Sequence, residues 1–190
     1  SKEVVDTAVK LLRLRAGLAR KLADARTDEE PLPGAVNWPD DDDHGRVAAQ
    51  VLDVGGGRIE ADTARLLVDT YGMKALDVAR RVRQDRTLAE RLVPGRPEIL
   101  AQVDRAVQEE LAATVIDFLK NRTQLFYRAP DQGLECLGAV SARMGRLLEW
   151  DDAQRLRFED AYRADVALSR RWREEIDVAA PEGEGLASEG

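Results

Sequence analysis

Apolar residues at Ile99, Val103, Ala106 and Val107, and again at Val115, Phe118 and Leu119, recur in steps of three and four. That is the period of a helix with one buried face. Between the two sets, Thr114 is followed three residues later by Asp117, a pairing that satisfies the free N–H groups at a helix start. The stretch 101–127 is therefore predicted to be two helical pieces that stop near Leu111 and restart at Thr114. Glu110 and Arg122 both fall on the apolar stripe, where a lone charge is costly. The pair is expected to meet, or to cap nearby backbone, and so to tie the two pieces together. The functional alternative is an anion site at Arg122, which a single Arg rarely forms by itself.

The same periodicity continues on both sides. Residues 2–24 read as a helix with Val5, Val9, Leu12, Ala16 and Ala19 on one face and Leu11, Leu14, Leu18 and Leu22 beside it. So wide a stripe asks for partners on more than one side. Pro31, Pro33, Gly34 and Pro39 interrupt regular structure over 26–44. Helices are then predicted over 45–53, 60–70 and 74–84, the middle one ending at Tyr71-Gly72. One further turn is expected over 88–92, and Pro97 occupies a favoured helix-starting position. A turn over 129–133 precedes a helix over 134–148, with Leu137, Val140, Met144 and Leu147 on one stripe. Asp151, with Gln154 three residues on, caps a last helix over 152–175. The tail 179–190 is rich in Gly, Ala and Glu and is expected to be disordered. No alternating strand pattern is present. The fold class is all-α, a compact bundle-like domain of about six to eight helices with no significant sheet.

Composition narrows the function. Charged residues make up 34% of the chain, and the net charge is −7. Both signs are interspersed, which argues against a nucleic-acid binder, because phosphate contacts need clustered Lys and Arg. Arg170, Arg171 and Arg173 are followed at once by Glu174 and Glu175 and read as a solvated helix end. Cys136 is the only cysteine, so an internal disulfide is impossible, and its apolar surroundings suit a buried thiol in a reducing compartment. No stretch approaches the ~18 apolar residues of a membrane span, and none reads as a signal peptide.

Candidate chemistry is thin. His44, the single histidine, follows the acidic run Asp40 to Asp43. The run lacks the alternating ligands and distal Glu of a calcium loop, and a solvated loop is the better reading. Gly55-Gly56-Gly57 lacks both the GxGxxG form and a Gly-Lys-Ser/Thr ending, so it reads as a joint rather than a phosphate loop. One His and one Cys do not suffice for a conventional zinc site. Glu109 and Glu110 are adjacent, hence about 100° apart on a helix, and do not face one substrate. Phe126, Tyr127 and Trp150 could line a cofactor slot but suit a core or interface better, and Met73 and Met144 read as packing residues. No catalytic, cofactor-binding or metal residue is assigned.

Four segments taken in order carry a resemblance. They are Glu30-Pro31-Leu32-Pro33-Gly34; Leu66 through Tyr71-Gly72; Glu110-Leu111-Ala112 with Thr114, Asp117-Phe118-Leu119 and Arg122-Thr123; and Asp131-Gln132-Gly133-Leu134 leading to Leu147-Leu148-Glu149-Trp150-Asp151. Together they resemble the C-terminal helical domain of FAD-dependent glycerol-3-phosphate dehydrogenases. The departures are Ala35 and Glu149, where that family usually has Gly. The resemblance implies an enzyme that oxidises sn-glycerol 3-phosphate to dihydroxyacetone phosphate and passes electrons from FAD to quinone or another acceptor. It places the flavin and substrate residues in a preceding domain, so this chain alone is expected to be inactive and to hold no cofactor. On the same grounds residues 1–26 are the helix leaving the flavin domain, 27–44 a linker, 45–178 the helical domain and 179–190 its tail. The partner is then the chain's own N-terminal flavin domain, with a homodimer and a peripheral membrane contact as further expectations. The location is cytoplasmic, or at the inner face of the membrane for the full-length enzyme. The competing class is a free-standing helical interaction module. An autonomous enzyme ranks last, because no convergent catalytic set is visible.

Overall fold

The computed structural model describes residues 2–16, 25–26 and 28–179. Among these residues every regular element is helical, and the one β-type pairing is an isolated antiparallel bridge between Arg91 and Ile99. The chain divides into two compact units, Ser1–Arg83 and Gln84–Gly190.

The first unit begins with α1 (Lys2–Ala16). Residues 17–24, the second half of the helix expected there, lie outside the described residues. The start of α1 is tied to the chain that follows: the Lys2 ammonium donates to the Ala25 carbonyl at 2.6 Å, and the Ala25 N–H donates to Asp6 at 2.9 Å. That backbone hydrogen bond holds the Asp6 carboxyl below its ordinary range. α2 (His44–Gly55) packs against α3 (Ala61–Tyr71), and α4 (Ala75–Gln84) follows after a short 3-10 turn. The buried residues fall at the spacing the sequence implies: Val47 and Val51 on α2, Ala64, Leu67 and Val68 on α3, and Ala75, Val78, Ala79 and Val82 on α4. The Gly55-Gly56-Gly57 run is the end of α2. Gly56 takes a left-handed cap and returns its N–H to the Asp53 carbonyl. At the far end, Arg58 donates to the Val82 and Arg83 carbonyls, satisfying groups that the last turn of α4 leaves free.

The second unit carries the larger core. α5 (Ala101–Glu110) packs on α7 (Leu137–Leu148), and α7 packs on α8 (Asp152–Ala179). Between α5 and α7 run a π-helical segment (Asp117–Arg122) and the short α6 (Leu125–Arg128). Phe118, Leu119, Leu125, Val140, Met144 and Tyr162 lie at the centre of a continuous apolar cluster. Three boundaries differ from expectation. The turn expected over 88–92 lies earlier, at Arg86–Ala89. The helix after Pro97 waits until Ala101, because Glu98 and Leu100 spend their backbone groups across the bridge on Leu92 and Glu90. α7 starts at Leu137 rather than 134, because Asp131 holds the Gly133 and Glu135 N–H groups in a preceding turn. The tail from residue 180, expected to be disordered, lies outside the described residues.

Candidate functional site

The joint after α5 concentrates the charges of the second unit. Leu111 ends the helix in the left-handed conformation, φ 57°, and the Ala112 N–H returns to the Ala106 carbonyl. Thr114 and Asp117 then bond reciprocally. The Thr114 N–H donates to Asp117 Oδ2 at 2.9 Å, and the Asp117 N–H donates to Thr114 Oγ1 at 3.2 Å. The ladder that follows is π rather than α. Thr123 Oγ1 donates to the carbonyls of both Phe118 and Leu119 at 3.2 Å, occupying acceptors that the wider turn frees.

Arg122 reaches back across this joint. Its guanidinium donates to the Glu110 carbonyl at 2.7 Å and lies 3.5 Å from Glu110 Oε2. Both side chains are partly exposed, Glu110 at 22% and Arg122 at 33%. Arg105 is buried, and donates to Glu110 Oε1 and to Glu109 Oε2, each at 2.8 Å. The residue before Arg105, Asp104, takes a bidentate grip on Arg143 of α7, at 2.6 and 2.5 Å. That hydrogen bonding raises the Arg143 pKa above its ordinary value. Sequence reading missed Asp104, Arg105 and Arg143. Asp104 and Arg143 are 39 residues apart, and no local spacing signals such a partnership.

Two of the other motif segments, in the first unit, come together. The Gly34 carbonyl accepts the Met73 N–H at 2.9 Å, so the proline-rich segment lies backbone to backbone on the Tyr71-Gly72 helix end. A Cβ on Gly34 would stand 2.7 Å from the Tyr71 carbonyl oxygen. Gly72 takes φ 57° and ψ −134°, a region open essentially to Gly alone. In the second unit the Tyr162 hydroxyl donates to the Gln132 carbonyl, and the Gln132 amide donates to Ser169 at 3.0 Å. These contacts fix the 131–133 turn, where Gln132 and Gly133 both have positive φ.

Candidate reactive groups are placed as follows. Cys136 is buried, donates to the Gly133 carbonyl at 3.3 Å, and has its pKa pushed by burial up to about 12. It is held as a neutral thiol and lacks the thiolate a nucleophile needs. His44 is exposed, 3.2 Å from Asp69 and edge-on to Trp38. The neighbouring acids are engaged locally: Asp41 with Arg46, Asp42 with the Trp38 indole, and Asp43 as the cap of α2. Among the described residues no three His, Cys, Asp or Glu side chains gather as a metal site would require, and no helix is long and apolar enough to cross a membrane. Phe126 and Met144 are in the core, and Trp150 packs on Phe158. Tyr127, by contrast, is 66% exposed. At the joint after α5 the charges are paired with one another across the break between two helical pieces.

Comparison with known proteins gives this shape a family. Residues 25–155 match the model of the C-terminal domain of alpha-glycerophosphate oxidase. The chain is 30% identical over 137 residues to a glycerol-3-phosphate dehydrogenase of Synechocystis, covering 72% of this chain and 24% of that protein. It is also 30% identical to the mitochondrial glycerol-3-phosphate dehydrogenases of Mesocricetus auratus, over 82% of this chain, and of Homo sapiens, over 80%. In each of those two the chain spans a fifth of the relative's length, 20%. No solved structure matches it. The four motif segments all lie within the matched span, and the chain belongs to the family of C-terminal domains of glycerol-3-phosphate dehydrogenases and alpha-glycerophosphate oxidase.

Proposed function

We propose that this chain is the C-terminal accessory domain of an FAD-dependent enzyme that oxidises sn-glycerol 3-phosphate to dihydroxyacetone phosphate and passes electrons to quinone or another acceptor. Its own part is to brace the flavin domain that precedes it. The observation that carries this reading is the family match over 25–155, joined to a set of charges that pair with one another. FAD and substrate contacts then belong to the preceding domain, residues 1–26 to its exit helix, 27–44 to the linker and 45–178 to the brace. α1 supplies the contact surface: Val4, Val5, Leu11 and Leu12 are all exposed, Val4 at 72%. Dimerisation and a peripheral contact with the inner face of the membrane are further parts of the proposal for the full-length enzyme, whose location is cytoplasmic.

The test has two arms. A visible spectrum of the purified chain with added FAD is expected to remain that of free flavin. The flavin-containing portion, produced with and without this chain, is expected to retain FAD and glycerol-3-phosphate oxidation only with it. Tight flavin binding by the chain alone, or full activity without it, overturns the reading.

A further inference from the structure

A groove of about 430 Å³ opens between residues 126–132 and α8, lined in part by Tyr127, Arg128, Pro130, Arg170 and Trp172. It departs from the rest of the surface in two ways. The chain has three tryptophans and three tyrosines. Among the described residues, Tyr127 at 66% and Trp172 at 55% are the two of them counted as exposed, and both line this groove. Aromatic side chains and Arg are the residue types that anchor interfaces, because they offer large area at small entropic cost. The groove is also basic in a chain of net charge −7. Among the described residues no acid lines it and the exposed Arg128 guanidinium has no partner, while Arg170 spends one N–H on Gln132.

We propose that this groove seats the chain's own C-terminal segment, 180–190. That segment, APEGEGLASEG, carries Glu182, Glu184 and Glu189, no basic residue, and one large apolar side chain, Leu186. Its charge complements Arg128 and Arg170, and Leu186 supplies the apolar group that Tyr127 and Trp172 can cover. The geometry permits the return. α8 ends at Ala179, about 10 Å of helix beyond Trp172. Eleven further residues can span about 36 Å when extended, and Pro181 and Gly183 are residues that stop a helix and allow a reversal. Tethering makes a modest contact effective. A ligand on a short linker sees a concentration of about a millimolar, so even a site of millimolar Kd is about half occupied. Screening by salt weakens the seat, because it depends on exposed charges.

The experiment uses the full chain carrying Ser188→Cys, spin-labelled at that position so that Leu186 is kept; buried Cys136, with its raised pKa, is left unlabelled. In ¹⁵N–¹H spectra the Tyr127 and Arg128 amides and the Trp172 indole N–H are expected to lose about half their intensity or more. Intensity is expected to return in Arg128→Glu, whose remaining spectrum reports an intact fold, and in high salt. Undiminished intensity at these three sites overturns the proposal. So does equal broadening when the spin label is carried only by a second, isotopically silent copy, because the occupant is then another molecule's segment.

Discussion

At the scale of single residues, the two charged contacts around α5 differ in what their loss would leave behind. Asp104 is 6% exposed and its partner Arg143 17%. Asp104→Ala strands a guanidinium that has no second carboxylate in contact among the described residues, and the expected loss is about 3 kcal/mol or more. Glu110→Ala removes a partly exposed acid, and Arg105 keeps Glu109 while Arg122 keeps the Glu110 carbonyl. A loss of about 1 kcal/mol is expected there. Denaturant unfolding of both variants checks the order, and an unchanged midpoint for Glu110→Ala removes it from the structural pair. Cys136 adds a pH dependence. Its folded pKa is raised above 9.0 to about 12 by burial, so its contribution to stability is complete below pH 9 and is lost as pH rises toward 12. Its thiol is expected to resist alkylation at pH 8 until the chain unfolds. Glu149 holds φ 57° at the end of α7, at a position where Gly is free of strain. Glu149→Gly is expected to raise stability by about 0.5–1 kcal/mol, read as a rise in Tm.

At the scale of elements, legibility followed the range of the interaction. The Thr114–Asp117 box, the Tyr71-Gly72 stop and the Asp151–Gln154 cap depend on residues three or fewer apart, and each lies where the pattern placed it. The Arg122–Glu110 contact was reachable because two charges on one apolar stripe need an explanation. The Asp104–Arg143 grip was not, since it depends on how α5 and α7 approach. Nor was the π-helical turn, because one added residue in a six-residue segment hardly disturbs the apolar period while the Thr123 hydroxyl absorbs the freed carbonyls. The late starts of α5 and α7 have the same origin: a backbone pairing and an Asp-centred turn held those N–H groups against helical propensity. The cap itself can be measured. Thr114→Ala removes the Oγ1 acceptor of the Asp117 N–H and is expected to cost about 1 kcal/mol, with faster hydrogen exchange over 114–118 as its local signature.

At the scale of the molecule, the proposed bracing role turns on the distribution of exposed apolar side chains. Six of the large exposed apolar residues, Val4, Val5, Leu11, Leu12, Leu32 and Val36, fall within the first 36 positions. Four of them are on α1, where they give one helix an apolar side without cover among the described residues. A surface helix of a finished domain buries that stripe. The family model starts at residue 25, after α1, and the proposal assigns that helix to the preceding domain. Val5→Glu with Leu12→Glu therefore separates two roles. If α1 serves the isolated chain, the double variant lowers its unfolding midpoint. If it serves the flavin domain, the isolated chain is unchanged to within about 0.5 kcal/mol, as for other exposed substitutions. In the flavin-containing polypeptide the same pair of charges would then be driven into an apolar interface, at several kcal/mol. The expected result is the second: equal unfolding curves for the isolated chains, and loss of bound FAD and of yield in the longer protein. Equal FAD content in the longer protein would detach α1 from the bracing role and leave its apolar side to be explained within the first unit.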